Sequence, residues 1–175
     1  HGIITDGGQA ANIVPAHSAG SFIVRAEDDP YLDELKKKVL NCFTGAATAS
    51  GARLEYRWGD VCYAPLRNNP TLAQLFAQNM QSLGRKVQLS DPRKSFGSTD
   101  MGNISQLMPS IHSFVAIAPM EVSTHSPQFA TAAASAIGIH GLLDAAKALA
   151  MTVADLIANP EIASKAKEEF QQENA

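Results

Sequence analysis

The residues best suited to chemistry lie between positions 94 and 129. Gly97 and Gly102 bracket Ser98, Thr99 and Asp100, a turn dense in small hydrogen-bonding groups. His125 follows an apolar run at 114–119 and stands just before Pro127, where a helix can start. An imidazole on such a connection is well placed to ligate a metal or move a proton. The turn's hydroxyls and carboxylate could bind a ligand, although a Gly-Ser-Thr-Asp sequence more often only turns the chain. A lone loop histidine is, by the same token, usually solvated. Two further side chains suit substrate binding. Arg25 ends an apolar segment and could present its guanidinium fork to a carboxylate, or pair with Asp28 or Asp29 at the surface. Asn12 could donate its amide to a substrate or hold a turn.

The elements that must position these groups follow from caps and periodicity. Residues 2–4 are apolar and precede the turn residues Thr5-Asp6-Gly7-Gly8, and residues 19–25 read as a second strand. Asp28-Asp29-Pro30 supplies a cap and a first-turn proline for a helix. Leu32, Leu35, Val39, Phe43 and Ala46 recur at helical spacing, and Gly51 closes the helix. Residues 53–58 alternate as a strand, with Leu54 and Tyr56 on one side. Asn69-Pro70 opens another helix with Leu72, Leu75, Phe76, Met80 and Leu83 on one face and Gly84 at its end. Short strands are expected at 87–89 and, buried, at 114–119. From Pro127 an alanine-rich helix runs on until Asn159-Pro160 starts the last one.

Composition narrows the function. The chain has 175 residues, 45% of them hydrophobic and 18% charged, enough for a real core in one domain or two small ones. A net charge of −3 leaves no basic footprint for nucleic acid. No apolar run approaches the ~18 residues of a membrane span. Cys42 and Cys62 form no CxxC pair and read as reduced, at least partly buried thiols of a cytoplasmic protein. His17, His112 and His140 are scattered, and His140 reads as a packed helix residue. There is no HExxH and no His-x-Asp, so the histidines alone close no zinc cage. The chain opens at His1 without an initiator methionine and reads as a piece of a longer protein.

Taken together, several short stretches become recognisable. His1-Gly2-Ile3-Ile4, Gly7-Gly8, Asn12-Ile13-Val14-Pro15, Phe22-Ile23-Val24-Arg25-Ala26, the turn from Gly97 through Asn103, and His125-Ser126-Pro127 occur in this order. The chain thereby resembles the M20 metallopeptidase family. Within it, the likeness is to the branch of M20-domain-containing protein 2 dipeptidases and of aminobenzoyl-glutamate and aminoacyl-amino-acid hydrolases. It extends to Lys147 through Thr152.

The resemblance implies an α/β and α+β fold. Residues 1–58 would be the second part of a two-layer α+β lid that dimerises. Residues 59–175 would be the C-terminal part of an α/β catalytic domain holding two divalent metal ions, zinc or manganese. His125 matches the last metal ligand. His1 matches the lid histidine that steadies the substrate carbonyl, in trans, in the partner subunit's site. Asn12 and Arg25 match groups that hold the substrate's amide and carboxylate, and Gly97, Ser98, Thr99 and Asp100 match a loop lining the cleft. The implied reaction is hydrolysis of a dipeptide or N-acyl amino acid by a metal-activated water, in a homodimer with no nucleic-acid or membrane partner. The family's other metal ligands and its general-base glutamate have no counterpart here. The chain by itself is therefore expected to bind metal weakly and to be inactive. The alternative is a non-catalytic dimerisation or binding module derived from such an enzyme.

Overall fold

The computed structural model describes residues 1–88 and 98–172, which fall into two compact units, His1–Pro65 and Leu66–Ala175. The class is mixed, helices with a small sheet, as the sequence implies.

In the first unit, β1 (Gly2–Asp6) pairs antiparallel with β2 (Ala19–Phe22). The register sets Gly2 opposite Phe22 and Ile4 opposite Gly20, with an irregularity between Ile4 and Asp6. His1 and Ile23 extend the pairing by one step. The His1 amine donates to the Ile23 carbonyl at 3.1 Å, and the Ile23 N–H donates back to His1 at 2.8 Å. Both Gly2 and Gly20 are needed here, because a Cβ at either would run into the Phe22 ring. Helix α1 (Asp29–Ser50) begins as its caps dictate: the Asp28 carboxylate accepts from the Tyr31 N–H at 2.8 Å, and Pro30 occupies the first turn. It stops at Gly51, whose φ of 73° is left-handed. Phe22 meets Phe43 of α1 edge-on, with centroids 5.0 Å apart.

The strand expected at 53–58 is absent. A strand exists only as one side of a ladder, and β1 and β2 are the sheet's two members. Residues 53–58 are instead held by side chains: Trp58 packs edge-on to Tyr56 and lies under the Lys36 ammonium, 5.4 Å from the ring centre.

The second unit is built on α2 (Pro70–Ser82), α5 (Ala136–Ala158) and α6 (Pro160–Gln172), with α3 (Met101–Ser105) and α4 (Pro127–Ala133) as short additions. Phe76, Met80 and Ala148 form its core, with Leu83, Val87, Ile111 and Val115 packed against them. Polar pins fix how the helices dock. Asn69 caps α2 through its Oδ1 and donates its Nδ2 to the Ala166 carbonyl of α6 at 2.9 Å. Asn79 reaches Thr152 at 3.1 Å and Asp155 at 2.9 Å on α5. A buried amide satisfied on both sides specifies one helix register, since any slip would leave it without partners.

Glu169 of α6 caps the start of α2 from outside, accepting from the Thr71 hydroxyl at 2.7 Å and the Thr71 N–H at 3.1 Å. The Thr71 hydroxyl bond is the main reason the Glu169 carboxyl is held below its ordinary pKa. A carboxyl depressed in the fold adds stability at pH values above its unfolded pKa, and that stability disappears as pH falls through the folded value. Glu169→Gln should therefore cost about 1 kcal/mol near neutrality. The gap in melting temperature to the parent should close towards pH 3. A gap that holds constant with pH would show that the charge contributes nothing.

Three sequence expectations are corrected in this unit. The alanine-rich helix is not continuous: α4 ends at Ala133, and Ser135 caps α5 by accepting from the Gly138 N–H at 3.2 Å. A run of near-uniform helix propensity does not announce such a break, but a serine able to cap on the spot makes it inexpensive. The segment 114–119 is neither a strand nor uniformly buried. Val115 faces the core, whereas Phe114 is 76% exposed and stacks on His112. Val87 and Gln88 likewise form no strand, and Leu89 lies outside the described residues. No helix among the described residues is long and apolar enough to cross a membrane.

Candidate functional site

His125 is the non-glycine residue with positive φ, 62°, among the described residues. That conformation costs an L-residue on the order of 1 kcal/mol, though histidine tolerates it better than most. Local hydrogen bonds hold the chain on either side of it. The Val122 N–H donates to Pro119 at 3.0 Å, and the Ser126 hydroxyl donates to Ser123 at 2.7 Å. Ser126 then accepts from the Phe129 N–H at 3.1 Å to cap α4. The outcome is an exposed imidazole that no hydrogen bond or ion pair holds among the described residues. A strained backbone that projects an uncommitted ring is the feature on which a functional reading of His125 stands.

Ser98, Thr99 and Asp100 form the turn entering α3, with Ser98 and Asp100 exposed and Thr99 half-buried. The Thr99 hydroxyl contacts the Asp100 carboxylate at 3.3 Å and accepts from the Met101 N–H at 3.3 Å. The Thr99 and Asp100 carbonyls accept from Gly102 and Asn103. The turn is thus held largely by its own groups, which leaves Ser98 and the Asp100 carboxylate facing outward. Gly97 lies outside the described residues. No hydrogen bond or ion pair joins this turn to His125 among the described residues.

The first unit carries the other three candidates, all exposed. The ladder puts His1 at one end of the hairpin, with Arg25 two residues beyond its partner Ile23. Asn12 belongs to the connection between β1 and β2, in a turn closed by the Ile13 N–H on Ala10 at 3.1 Å. Arg25 forms no ion pair with Asp28 or Asp29, and Asp28 is engaged as the α1 cap.

Some features were not foreseen from the sequence. Asp6 and His17 meet across the hairpin at 3.1 Å, and this contact is the main cause of a lowered Asp6 carboxyl pKa. The signal was present, since Asp6 ends β1 and His17 lies two residues before β2, whose first residue pairs with Asp6. Ser105 is fully buried, donating to Gly102 at 2.7 Å and accepting from the Arg67 N–H at 3.0 Å. Cys42 and Cys62 are exposed rather than buried or partly buried, and both are free thiols as expected. His140 is exposed too, because α5 turns its glycine and alanine face inward.

Among the described residues no three His, Cys, Asp or Glu side chains gather to hold a metal ion. His125 offers one donor, whereas zinc takes three or four. The donor set of the described residues does not by itself fit a divalent ion, and no chemical step is assigned through one.

No family model matches the chain. It is similar to the Xaa-Arg dipeptidase of Homo sapiens, 36% identical over 172 residues, a match covering 97% of this chain and 39% of that protein. The Xaa-Arg dipeptidase of Mus musculus is 34% identical over 172 residues, covering 97% of this chain and 40% of its own. The chain spans about two-fifths of the length of the curated relatives it matches.

Proposed function

We propose that this chain works as the C-terminal portion of an M20-type, metal-dependent dipeptidase, and that its substrate is a dipeptide with a C-terminal arginine. The observation that carries the reading is the likeness to two Xaa-Arg dipeptidases along 97% of the chain. In this proposal residues 1–58 belong to a lid and residues 59–175 to a catalytic domain. His125 is one ligand of a two-metal site of zinc or manganese, whose other ligands this sequence does not supply. His1 donates a hydrogen bond to the substrate carbonyl as its oxygen gains charge. Arg25 forks onto the α-carboxylate, Asn12 holds the amide, and Gly97 to Asp100 line the cleft. The support for these roles is the residue-by-residue resemblance, together with the exposure of His1, Asn12, Arg25, Ser98, Asp100 and His125.

Dimerisation through the lid is part of the same proposal. It is supported by a two-stranded sheet that leaves Ile3 and Ile4 66% and 68% exposed, with strand edges open to further pairing. We place the protein in the cytoplasm on its reduced-type cysteine usage.

The test is turnover of a panel of substrates by a longer protein that carries this sequence, followed as release of the free C-terminal amino acid. Dipeptides ending in arginine should be cleaved at least about tenfold faster than those ending in a neutral residue, as expected when a charged group has a dedicated partner. N-acyl amino acids should be poor substrates. The 175-residue chain by itself should cleave none of them. Equal rates across the panel would remove the arginine preference. A longer protein that dimerises yet cleaves nothing, with zinc or manganese supplied, would favour the binding-module reading.

A further inference from the structure

Both ends of the connection that bears His125 rest on one turn of α5. At the near end, Ile117 lies against the α5 backbone at Gly141. A Cβ there would stand 2.6 Å from the Ile117 Cγ2 and 3.8 Å from the Ala116 carbonyl oxygen. At the far end, the last turn of α4 lies against Gly138, where a Cβ would collide with the Ala132 and Ala133 carbonyls. Gly138 and Gly141 are three residues apart, so they share a face of the helix, and both are buried.

Arg85, just beyond the C-terminal end of α2, bridges the near end. Its Nε donates to Asp144 of α5 at 2.8 Å and its Nη1 to the Ala116 carbonyl at 3.1 Å. The ion pair is largely shielded, with 25% of the Arg85 side chain and 14% of the Asp144 side chain exposed. Guanidinium geometry suits this task, because its nitrogens can serve two acceptors at a fixed angle.

We infer that Gly141 and Arg85 are positioning residues for His125: they fix where segment 114–119 crosses α5, and so where the strained turn at His125 is presented. The inference rests on the proposed role of His125 for its functional meaning, but not for its geometry. The glycine admits the segment to within contact of the helix backbone, and the arginine ties the segment's carbonyl to α5. With both ends seated on a single helical turn, a displacement at Gly141 has only the short loop before Ser126 in which to dissipate.

The experiment uses the 175-residue chain and follows the imidazole C–H resonances of its five histidines by NMR. Gly141→Ala and Arg85→Met should each shift or broaden the His125 signals, while His1 and His17, in the other unit, keep theirs. Amide exchange at Phe129, whose N–H is held by Ser126, should quicken in parallel. Arg85→Lys retains the charge facing Asp144, but a single ammonium does not span Asp144 and Ala116 in the same geometry. It should therefore move His125 as Met does. His125 signals unchanged in both Gly141→Ala and Arg85→Met would overturn the inference, as would a wild-type spectrum from Arg85→Lys. A change shared equally by all five histidines would mean general unfolding and would overturn it as well. Because the readout is position rather than turnover, a His125 without a catalytic part leaves the inference standing, and its failure leaves the proposed activity untouched.

Discussion

His125→Gly, placed in a longer protein that carries this sequence, should reduce dipeptide turnover by on the order of 10²-fold or more while leaving the fold intact or slightly firmer. The two halves of this result have separate causes. Loss of turnover follows if the imidazole is a ligand, since disturbing even the groups that support a ligand typically costs 10- to 100-fold. The gain in stability follows from φ of 62° at His125. Glycine adopts that conformation without strain, so relief of about 1 kcal/mol is set against some extra chain entropy in the unfolded state. His125→Ala is the informative control. Alanine removes the ring but keeps the Cβ, and should melt lower than the glycine variant while being equally inactive. If glycine destabilises more than alanine does, the left-handed turn is not where the strain resides. If both variants keep full activity, His125 is not a ligand.

The same residue shows what a sequence can disclose and what it withholds. Asp28, Gly51 and Asn69 announced the starts and stops of α1 and α2, because a cap is a local bargain between one side chain and a few backbone groups. Pro127 announced the start of α4, and with it the place of His125, while the Ser126 cap came only with the structure. The α2 face was legible too: Leu75, Phe76 and Met80 are buried as their spacing requires. The strands expected at 53–58 and 114–119 were not reliable, since neither alternation nor an apolar run says whether a neighbour exists to pair with the segment.

Helix α5 misled for a different reason. It is apolar nearly all round, so periodicity cannot select a face. The structure buries Gly138, Gly141, Ala148 and Thr152 and leaves Leu142, Val153 and Ile157 exposed at 66%, 56% and 76%. Small residues win the inner face because they let α2 and segment 114–119 approach the backbone, and His140 is carried outward with the larger side chains. The candidate site was legible as residue types at the right order in the chain. Its geometry was not, because the φ of His125 and the seating of its connection on α5 depend on contacts distant in sequence.

A mixed dimer of two damaged subunits should recover about one working site where each parent homodimer has none. The subunits are a His1→Ala chain and a His125→Gly chain, each within a longer protein that carries this sequence. The argument is one of reach. An imidazole is short, so its backbone must come within several ångströms of the carbonyl that it stabilises. His1 is tied at the end of the hairpin by two backbone hydrogen bonds to Ile23, at 3.1 and 2.8 Å, so it moves with its sheet rather than as a loose arm. A hairpin that dimerises through its exposed edge would carry His1 towards the other subunit's cleft. In the heterodimer one cleft then combines the intact His125 of the first chain with the intact His1 of the second, and the other cleft lacks both. Statistical mixing makes half the dimers hybrid, so activity should return to about a quarter of the wild-type level per subunit, by the logic of groups that act as a unit. Arg25, with its longer reach, supplies a check. Arg25→Ala in the chain that lacks His125, whose His1 completes the working cleft, should abolish the recovery, and in the chain that already lacks His1 it should not, if both lid groups act across the interface together. Heterodimers that demonstrably form yet stay as inactive as either parent would show that His1 serves its own subunit.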